Sequence, residues 1–301
     1  MIDDRRRGWA LAALGMLLVS TDTIFVRWSE TDGWTIAFLV AALGLPLQLA
    51  LQRRFDGGHP IRRFRQSPRG LLTVGLLSGL SQITFLSSAT HTEVANVVVI
   101  VAASPIMAAV GGGLLFGERT SRRVWIAIGV TISGVVVVVS ASIGSPNLRG
   151  DLLALSAVLA FSLNISVWRH YRDQSRFVGL AVAALVTIVV SGPFASPFDQ
   201  EPRVYLVALA MGLVFNPLGR LCHTTAPRYA PSSEVALFSP VETLAATIWA
   251  WWAFAEQPPA RTFVGGTIIL AGLVYGTWQR SPGPQGASGT PSSSLRADGG
   301  T

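Results

Sequence analysis

The chain has 301 residues, of which 50% are hydrophobic and only 13% are charged. A soluble domain usually has about 25% charged residues, so a soluble enzyme or binding domain is disfavoured. All 23 basic residues behind the net charge of +7 are arginines. They lie mostly in short segments between long apolar runs, which favours a membrane protein over a nucleic-acid-binding protein.

Apolar runs of about 18 to 21 residues recur along the chain, and each is long enough to cross the hydrocarbon core as a helix. Continuous runs of this length exclude a transmembrane β-barrel, whose strands are shorter and alternate in polarity. The pattern predicts an all-α integral membrane fold with ten transmembrane helices, numbered here in chain order: Gly8–Trp28, Trp34–Gln52, Gly70–Ser88, Glu93–Phe116, Arg123–Ser142, Gly150–Trp168, Phe177–Phe194, Val204–Cys222, Ser233–Phe254 and Thr262–Trp278.

The arginines predict how these helices are oriented. If the N-terminus is cytoplasmic, 19 of the 23 arginines fall on the cytoplasmic side and 4 on the other. Cytoplasmic loops carry such an excess, so we expect a multi-pass protein of the inner (plasma) membrane with both termini in the cytoplasm. The same distribution explains the basic net charge without a nucleic-acid partner.

Two segments of the chain resemble each other. One runs from Thr92-Glu93-Val94-Ala95 through Ser104-Pro105 to Gly117-Glu118-Arg119, and the other from Ser233-Glu234-Val235-Ala236 through Glu242-Thr243 to Ala255-Glu256-Gln257. Five helices per half is an odd number, so the second copy must insert upside down, as in inverted-repeat transporters. We expect repeats at residues 1–145 and 146–280. The Pro-, Gly- and Ser-rich residues 281–301 should form a disordered cytoplasmic tail.

These motifs resemble the drug/metabolite transporter superfamily, in its EamA-like ten-helix branch. The resemblance spans about Trp9 to Trp278 and rests on Pro105 to Thr120, on Glu242 to Glu256, and on Gly150-Asp151-Leu152-Leu153-Ala154-Leu155. Thr243 stands where relatives commonly have proline, and Phe38-Leu39-Val40-Ala41 stands where many have an arginine. The resemblance implies a central cavity lined mainly by predicted helices 1, 3, 4, 6, 8 and 9, and it specifies no substrate.

Two carboxylates lie inside predicted helices. A charge near the bilayer centre costs about 2.5–3.5 kcal/mol, so it usually faces a cavity or a partner. Asp22 in helix 1 is a candidate substrate or proton site, and the alternative is a packing hydrogen bond or a position near the outer interface. Glu242 in helix 9 is a candidate proton carrier, which the pH dependence of transport by Glu242→Gln would test. Its alternative is a structural pair with Arg220 or an amide.

Uncharged polar residues in the other helices complete the candidate substrate site: Gln82, Asn96, Ser104, Asn164 and Asn216. Amides between membrane helices are often only packing hydrogen bonds, so both roles stay open. Pro217, which follows Asn216, is expected to interrupt predicted helix 8 because proline has no N–H.

Several other polar residues are assigned structural roles. Arg220 and His223 are expected to extend to the cytoplasmic interface, although Arg220 would also suit an anionic substrate. Trp249, Trp251 and Trp252 are expected in an interfacial aromatic belt.

The acidic residues at helix ends are also assigned structural roles. Glu93 and Glu234 should stabilise helix starts through the helix dipole. Glu118 and Glu256 should pair with nearby groups such as Arg122 or Arg123, or cap the next helix.

The sequence contains no catalytic signature, no thiolate metal site and no lysine for a phosphate-binding loop. We therefore expect no enzyme activity, cofactor or metal. The predicted function is a secondary transporter, an exporter of a small metabolite, amino acid or drug-like solute working by alternating access as a monomer or homodimer. The alternative is a lipid-handling flippase or a non-transporting scaffold, which need not keep Asp22 and Glu242 inside the bundle.

Overall fold

The structure is all-helical throughout the part of the chain that it describes. In this computed structural model that part comprises residues 2–89, 100–101, 103–140, 148–254 and 260–278, and every regular element in it is a helix. The all-α prediction is thereby confirmed. Glu93, Asn96, Glu256 and the predicted tail at 281–301 lie outside the described residues.

The helices follow one another along the chain with short connections. Up to residue 140 they are α1 (Ile2–Val19), α2 (Asp22–Ser29), α3 (Gly33–Leu51), α4 (Pro60–Gln66), α5 (Pro68–Ala89), α6 (Ser104–Phe116) and α7 (Arg122–Val139). From residue 148 they are α8 (Leu148–His170), α9 (Arg176–Ser191), α10 (Pro202–Ala210), α11 (Asn216–Thr225), α12 (Ser232–Ala236), α13 (Ser239–Phe254) and α14 (Ala260–Thr277). π-Helical turns follow α3, at Gln52–Asp56, and α10, at Met211–Phe215.

Side-chain caps fix several helix starts. Asp32 accepts hydrogen bonds from the amides of Trp34 and Thr35, each at 2.9 Å, at the start of α3. Ser121 and Ser175 cap α7 and α9 in the same way. The first amides of a helix have no partner within it, so these caps help to set where the apolar helices begin.

The exterior of the bundle suits lipid. Within the described ranges, six helical stretches are long and apolar enough to cross a membrane: Asp3–Ser29, Gly33–Asp56, Leu148–His170, Arg176–Phe194, Pro202–Arg228 and Ala260–Thr277. Helix α6 is apolar but shorter. Large apolar side chains such as Leu114 and Val189 point outward. Contiguous exposed apolar surface would be a liability in water but matches the hydrocarbon of a bilayer.

Glycines bring pairs of helices into close contact. A Cβ atom added at Gly134 on α7 would lie 2.8 Å from the carbonyl oxygen of Gly265 on α14. One added at Gly272 would lie 2.6 Å from Oγ1 of Thr131. Small residues let membrane helices approach closely because they place little side chain between the two backbones. Such close packing matters in a membrane, where lipid provides no hydrophobic force to drive helices together. The α7–α14 contact is therefore specified by its glycines.

Two predicted helices are divided in the structure. Predicted helix 1 consists of α1 and α2, which Ser20 and Thr21 separate, and predicted helix 9 consists of α12 and α13. The hydroxyls of Ser20 and Thr21 donate to the carbonyls of Leu17 and Leu18, at 2.6 and 2.7 Å. Hydroxyl bonds of this kind bend helices, and hydropathy does not detect them because the run stays apolar on average.

The irregularity predicted at Asn216-Pro217 is present as a π-helical turn, but the expected break is not, because predicted helix 8 stays helical from Pro202 to Arg228. The π-helical turn Met211–Phe215 ends immediately before these residues. Pro217 has no N–H for the carbonyl of Leu213, one turn earlier, so a regular helix cannot continue its hydrogen bonds through this point.

Candidate functional site

Asp22 lies at the start of α2, immediately after the break in predicted helix 1. Both of its carboxylate oxygens accept hydrogen bonds from Nδ2 of Asn216, each at 3.1 Å. The N-terminal end of a helix has a partial positive charge, which favours a carboxylate there. The helix break therefore gives Asp22 a favourable electrostatic position as well as a partner on α11.

Asn216 connects Asp22 to Arg220. Its Oδ1 accepts a hydrogen bond from Nε of Arg220 at 2.6 Å, while its Nδ2 group donates to Asp22. Asn216 is only 4% exposed, and Arg220 lies one turn further along the same face of α11. A buried amide thus holds a carboxylate and a guanidinium on either side of itself.

Glu242 adds a second carboxylate to this group. It lies half-buried in the first turn of α13, after the break in predicted helix 9. Its charge repels that of Asp22 and attracts that of Arg220. When all three residues are ionised, two carboxylates face one guanidinium, so the group has an unbalanced negative charge. We call Asp22, Asn216, Arg220 and Glu242 the central polar group.

A small, partly open cavity lies beside the central polar group. It measures about 40 Å³, and its wall includes Asn216, Arg220, Gln82 and Gln48. This is room for a few water molecules and not for a metabolite. The structure thus brings the predicted residues Gln82 and Asn216 to one cavity. Gln48 was missed, although an amide within the apolar run of α3 is the same signal that singled out Gln82.

Ser104 and Asn164 lie at a different contact, where α8 packs on α5 and α6. Nδ2 of Asn164 donates to Oγ of Ser78 at 2.5 Å, and the hydroxyl of Ser162 donates to the carbonyl of Ser104 at 3.1 Å. No hydrogen bond among the described residues joins either one to Asp22. These contacts are of the packing kind that the sequence left open as an alternative.

Three residues expected at the membrane interface lie inside the bundle. Arg220 is bonded to Asn216 instead of extending to the surface. His223 is buried, and its ring stacks on Phe161 with the ring centroids 5.1 Å apart. Nε1 of Trp249 donates to Oγ of Ser20 at 2.9 Å, so this tryptophan supports the break between α1 and α2. The interface assignments of these three residues are therefore wrong.

The other two tryptophans of α13 remain on the outside. Trp251 is exposed, and Trp252 is 83% exposed. One helix thus has an inward-facing and an outward-facing tryptophan three residues apart. Their sequence context is similar, so only the rotation of α13 about its axis distinguishes their roles.

Contacts between distant segments close the end of the bundle where α1 begins. Glu234 on α12 accepts hydrogen bonds from Nη2 of Arg5 at 2.9 Å and from Nε1 of Trp9 at 3.0 Å. Glu234 was expected to stabilise the start of its helix through the helix dipole. The structure adds an ion pair with Arg5 on α1.

Glu118 takes part in the same end of the bundle. Its carboxylate accepts from the amide and the hydroxyl of Ser232, at 3.2 and 3.0 Å, and so caps the start of α12. The expected pairing with Arg122 or Arg123, or capping of the next helix, is wrong. Arg123 instead donates to the carbonyl of Tyr275 at 2.6 Å.

The opposite end of the bundle is also closed by contacts between the two halves of the chain. Nη2 of Arg203 donates to Glu30 at 2.8 Å, and the hydroxyl of Thr31 donates to Oε1 of Gln200 at 2.9 Å. Contacts between distant segments therefore hold the described helices together at both ends of the bundle.

Buried charges at divided helices, inside a bundle with a lipid-compatible exterior, define the class of multi-pass membrane transporters. The model of the EamA-like transporter family matches residues 6–140 and again residues 148–277. The chain belongs to the EamA-like transporter family, as the sequence motifs predicted. It is accordingly a transporter of small solutes and not an enzyme.

Individual proteins resemble the chain over most of its length. It is 26% identical to the pseudopaline exporter CntI of Pseudomonas aeruginosa, over 91% of this chain and 97% of that protein. It is 24% identical to the inner membrane protein YtfF of Escherichia coli, over 77% and 82% respectively. A crystal structure with 16% sequence identity matches with a TM-score of 0.78, over 90% of this chain and 97% of that one, so the two share a fold.

Proposed function

We propose that the chain exports a small metabolite by alternating access between two inverted five-helix repeats, at residues 1–145 and 146–280. The family model supports this division because it matches the chain twice, at residues 6–140 and 148–277. Helices α7 and α14, which correspond to the last helix of each repeat, pack against each other at Gly134 and Gly265. Transporters with inverted repeats bind their substrates between the repeats near the middle of the membrane.

The central polar group is the proposed substrate site, and the hydrogen-bonded series Asp22–Asn216–Arg220 is the observation on which the proposal depends. Asp22 and Glu242 would attract a cationic group, and Arg220 would bind a carboxylate through two parallel hydrogen bonds. Asn216 lies between Asp22 and Arg220, so the two charges bond to the amide instead of pairing with each other and remain available to the substrate. The preferred substrate is therefore a small metabolite with both an amine and a carboxylate.

The remaining polar residues predicted for the site would act when the cavity enlarges. Gln82 already contributes to the cavity wall. We propose that Ser104 and Asn164, and also Asn96, line the cavity once the two repeats move apart. Opening would break the Arg5–Glu234 ion pair at one end or the Arg203–Glu30 ion pair at the other.

The orientation and direction of transport rest on separate observations. The excess of arginines at the end where α1 begins favours a cytoplasmic location for that end and for both termini, in the inner membrane. Arg220 is one of the arginines in that excess. Because it lies inside the bundle, the excess without it is smaller by a single charge. Export is favoured because one similar protein is named an exporter. The proposed site lies within a single chain, so a monomer suffices and a homodimer would contain one site per subunit.

Counterflow in proteoliposomes tests this function. Vesicles containing the purified protein and unlabelled metabolite pools should accumulate the matching labelled amine-carboxylate compound. Glu242→Gln should abolish the accumulation, since it removes one of the two proposed cation ligands. Asp199→Asn is the control, because it makes the same acid-to-amide change at an exposed acid outside the bundle.

Three results would argue against the proposal. Equal accumulation by wild type and Glu242→Gln would exclude Glu242 from the substrate site. Accumulation only of lipid analogues would favour the flippase alternative. Failure of every pool, lipids included, would favour a scaffold, although the interior position of Asp22 and Asn216 argues against that outcome.

A further inference from the structure

A second cavity, of about 330 Å³, lies at the end of the bundle where α1 begins. Its wall is formed by the junction of α4 with α5 and by the turn between α8 and α9. It shares no lining residue with the cavity beside the central polar group. It is therefore separate from the central polar group.

The wall of this cavity is basic and rich in hydrogen-bonding groups. It contains Arg63, Arg172 and the carboxylate of Asp173. A second carboxylate, that of Asp56, accepts a hydrogen bond from the lining hydroxyl of Ser175. The hydroxyl residues Ser67 and Tyr171 also line it. Guanidinium groups beside hydroxyls are the usual protein ligands of phosphate, which has several strong acceptor oxygens.

Gln174 provides a second and independent indication of a ligand. It lines the same cavity and is only 7% exposed. Neither its Nε2 nor its Oε1 has a hydrogen-bond partner among the described residues. Buried amide groups are nearly always paired, because leaving one unpaired is costly. Both atoms are buried, so a ligand reaches them when the side chain turns into the cavity. Nε2 then donates to a phosphate oxygen, and Oε1 accepts from a neighbouring hydroxyl of the same ligand.

The turn that holds Gln174 is fixed in place from behind. Nη1 and Nη2 of Arg176 donate to the carbonyls of Gln174 and Arg172, at 3.2 and 2.9 Å. The Arg176 guanidinium lies 4.6 Å from the ring centre of Trp168. Nε of Arg228 also donates to the carbonyl of Arg172, at 2.8 Å. The cavity wall is thus organised before any ligand binds, and two further cations lie behind it.

The surroundings of the cavity favour a lipid as the source of the phosphate. Phe55 is 68% exposed and stacks on Phe177, which follows Arg176 in the chain. Ile61 on α4 is 57% exposed. Apolar side chains beside arginines match the boundary between acyl chains and headgroups, where basic pockets bind anionic lipids.

We propose that the cavity lined by Arg63, Arg172 and Gln174 binds the headgroup of an anionic phospholipid, with its phosphate on the arginines and a headgroup hydroxyl on Gln174. Phosphatidylglycerol has this combination of a phosphate diester and free hydroxyls. The proposal does not depend on which solute the central polar group binds, and its test does not require transport.

The test is a titration of the full-length protein in detergent, followed by native mass spectrometry and by thermal unfolding. Phosphatidylglycerol, phosphatidylcholine and inorganic phosphate are compared as probes. Arg172→Gln is the main variant, because the Arg172 side chain is exposed and its backbone makes the structural contacts. Arg65→Gln is the matched control: it removes the same charge from an exposed arginine of α4 that does not line the cavity.

We expect phosphatidylglycerol to bind wild type and Arg65→Gln equally and to bind Arg172→Gln roughly tenfold more weakly, the effect of losing one charge-assisted hydrogen bond. Gln174→Leu should weaken phosphatidylglycerol binding too, while the lipid-free protein unfolds at no lower a temperature than wild type, because an unpaired amide is lost. Equal weakening by Arg172→Gln and Arg65→Gln would overturn the proposal in favour of general surface charge. Stabilisation by inorganic phosphate with none by phosphatidylglycerol would overturn the assignment to lipid.

Discussion

The contact between α7 and α14 and the region around α2, α11 and α13 are built in opposite ways. The first joins two uninterrupted helices through Gly134, Gly265 and Gly272, with little space between their backbones. In the second, each helix begins at an interruption or at a π-helical turn, and buried charges take the place of close backbone packing. The comparison suggests that the chain separates a fixed scaffold from a region whose side chains can exchange protein partners for substrate.

Filling the glycine contact should have the largest effect. Gly134→Leu would place side-chain atoms where Gly265 and Ile269 already lie, because even a Cβ atom comes within 2.8–2.9 Å of them. We expect a loss of about 3 kcal/mol in stability, the upper range for overpacking, measured by thermal unfolding in detergent. Gly129→Leu on the same helix is the control, since no atom lies within 4 Å of its added Cβ. If both variants unfolded alike, the α7–α14 contact would not be the rigid element that we describe.

Removing the amide of the central polar group should have the next largest effect, and mainly on transport. Asn216→Leu leaves Asp22 and Arg220 without the side chain that holds them in place. Hydrogen bonds to charged groups contribute about 1.5–3 kcal/mol, so counterflow should fall roughly 10- to 100-fold. Asn164→Leu removes a packing hydrogen bond to Ser78, and we expect only about a threefold loss, corresponding to roughly 0.6 kcal/mol. A larger loss from Asn164→Leu than from Asn216→Leu would place the substrate near α8 instead.

Removing the hydrogen bond that supports the break in predicted helix 1 should have a moderate effect. Trp249→Phe keeps the aromatic ring but removes the hydrogen bond to Ser20, and we expect a loss of about 1 kcal/mol in stability. Trp252→Phe, which makes the same change at an exposed position, should leave thermal unfolding unchanged. Equal effects would mean that the hydrogen bond to Ser20 does not stabilise the break.

Breaking the Arg5–Glu234 ion pair, at the end of the bundle where α1 begins, should have the smallest effect on stability. A double-mutant cycle of Arg5→Gln and Glu234→Gln should give a coupling of about 0.5–1 kcal/mol in thermal unfolding, and the coupling should decrease with added salt. The Arg203–Glu30 pair at the other end is more exposed and should show a weaker coupling in the same cycle. A stronger coupling at the Arg203–Glu30 end would reverse the order of stability that we infer for the two ends.

The helical class and most helix positions could be predicted because they depend on local features. Apolar runs and capping residues such as Asp32 and Ser175 lie within a few residues of the helix starts that they specify. The irregularity before Pro217, a π-helical turn, was predictable for the same reason, since the missing N–H belongs to that residue alone. The division of predicted helix 1 was not, because serine and threonine hydroxyls are compatible with a continuous helix and bend it only in context. Predicted helix 9 divides just before Ser239-Pro240, where Pro240 has no N–H for the carbonyl of Ala236, so the sequence carried a signal for that division that the prediction missed.

The candidate site was only partly predictable from the sequence. Asp22, Gln82, Asn216 and Glu242 stood out as polar residues in apolar runs, which is a cost that a membrane protein must offset. Nothing in the sequence indicated that Asn216 lies between Asp22 and Arg220, or that Asn164 contacts Ser78 instead. The same limit applies to Trp249 and Trp252, which differ in the direction they face and not in their local sequence.

By itself the sequence determined that this protein is a helical membrane protein of the EamA-like family, because hydropathy, helix caps, arginine distribution and family motifs are properties of the chain. Only the tertiary structure decided which side chains meet. The rotation and crossing of helices depend on close contacts such as Gly134 with Gly265, between residues far apart in sequence. For that reason the central polar group and the basic cavity around Gln174 became visible only once the helices were packed.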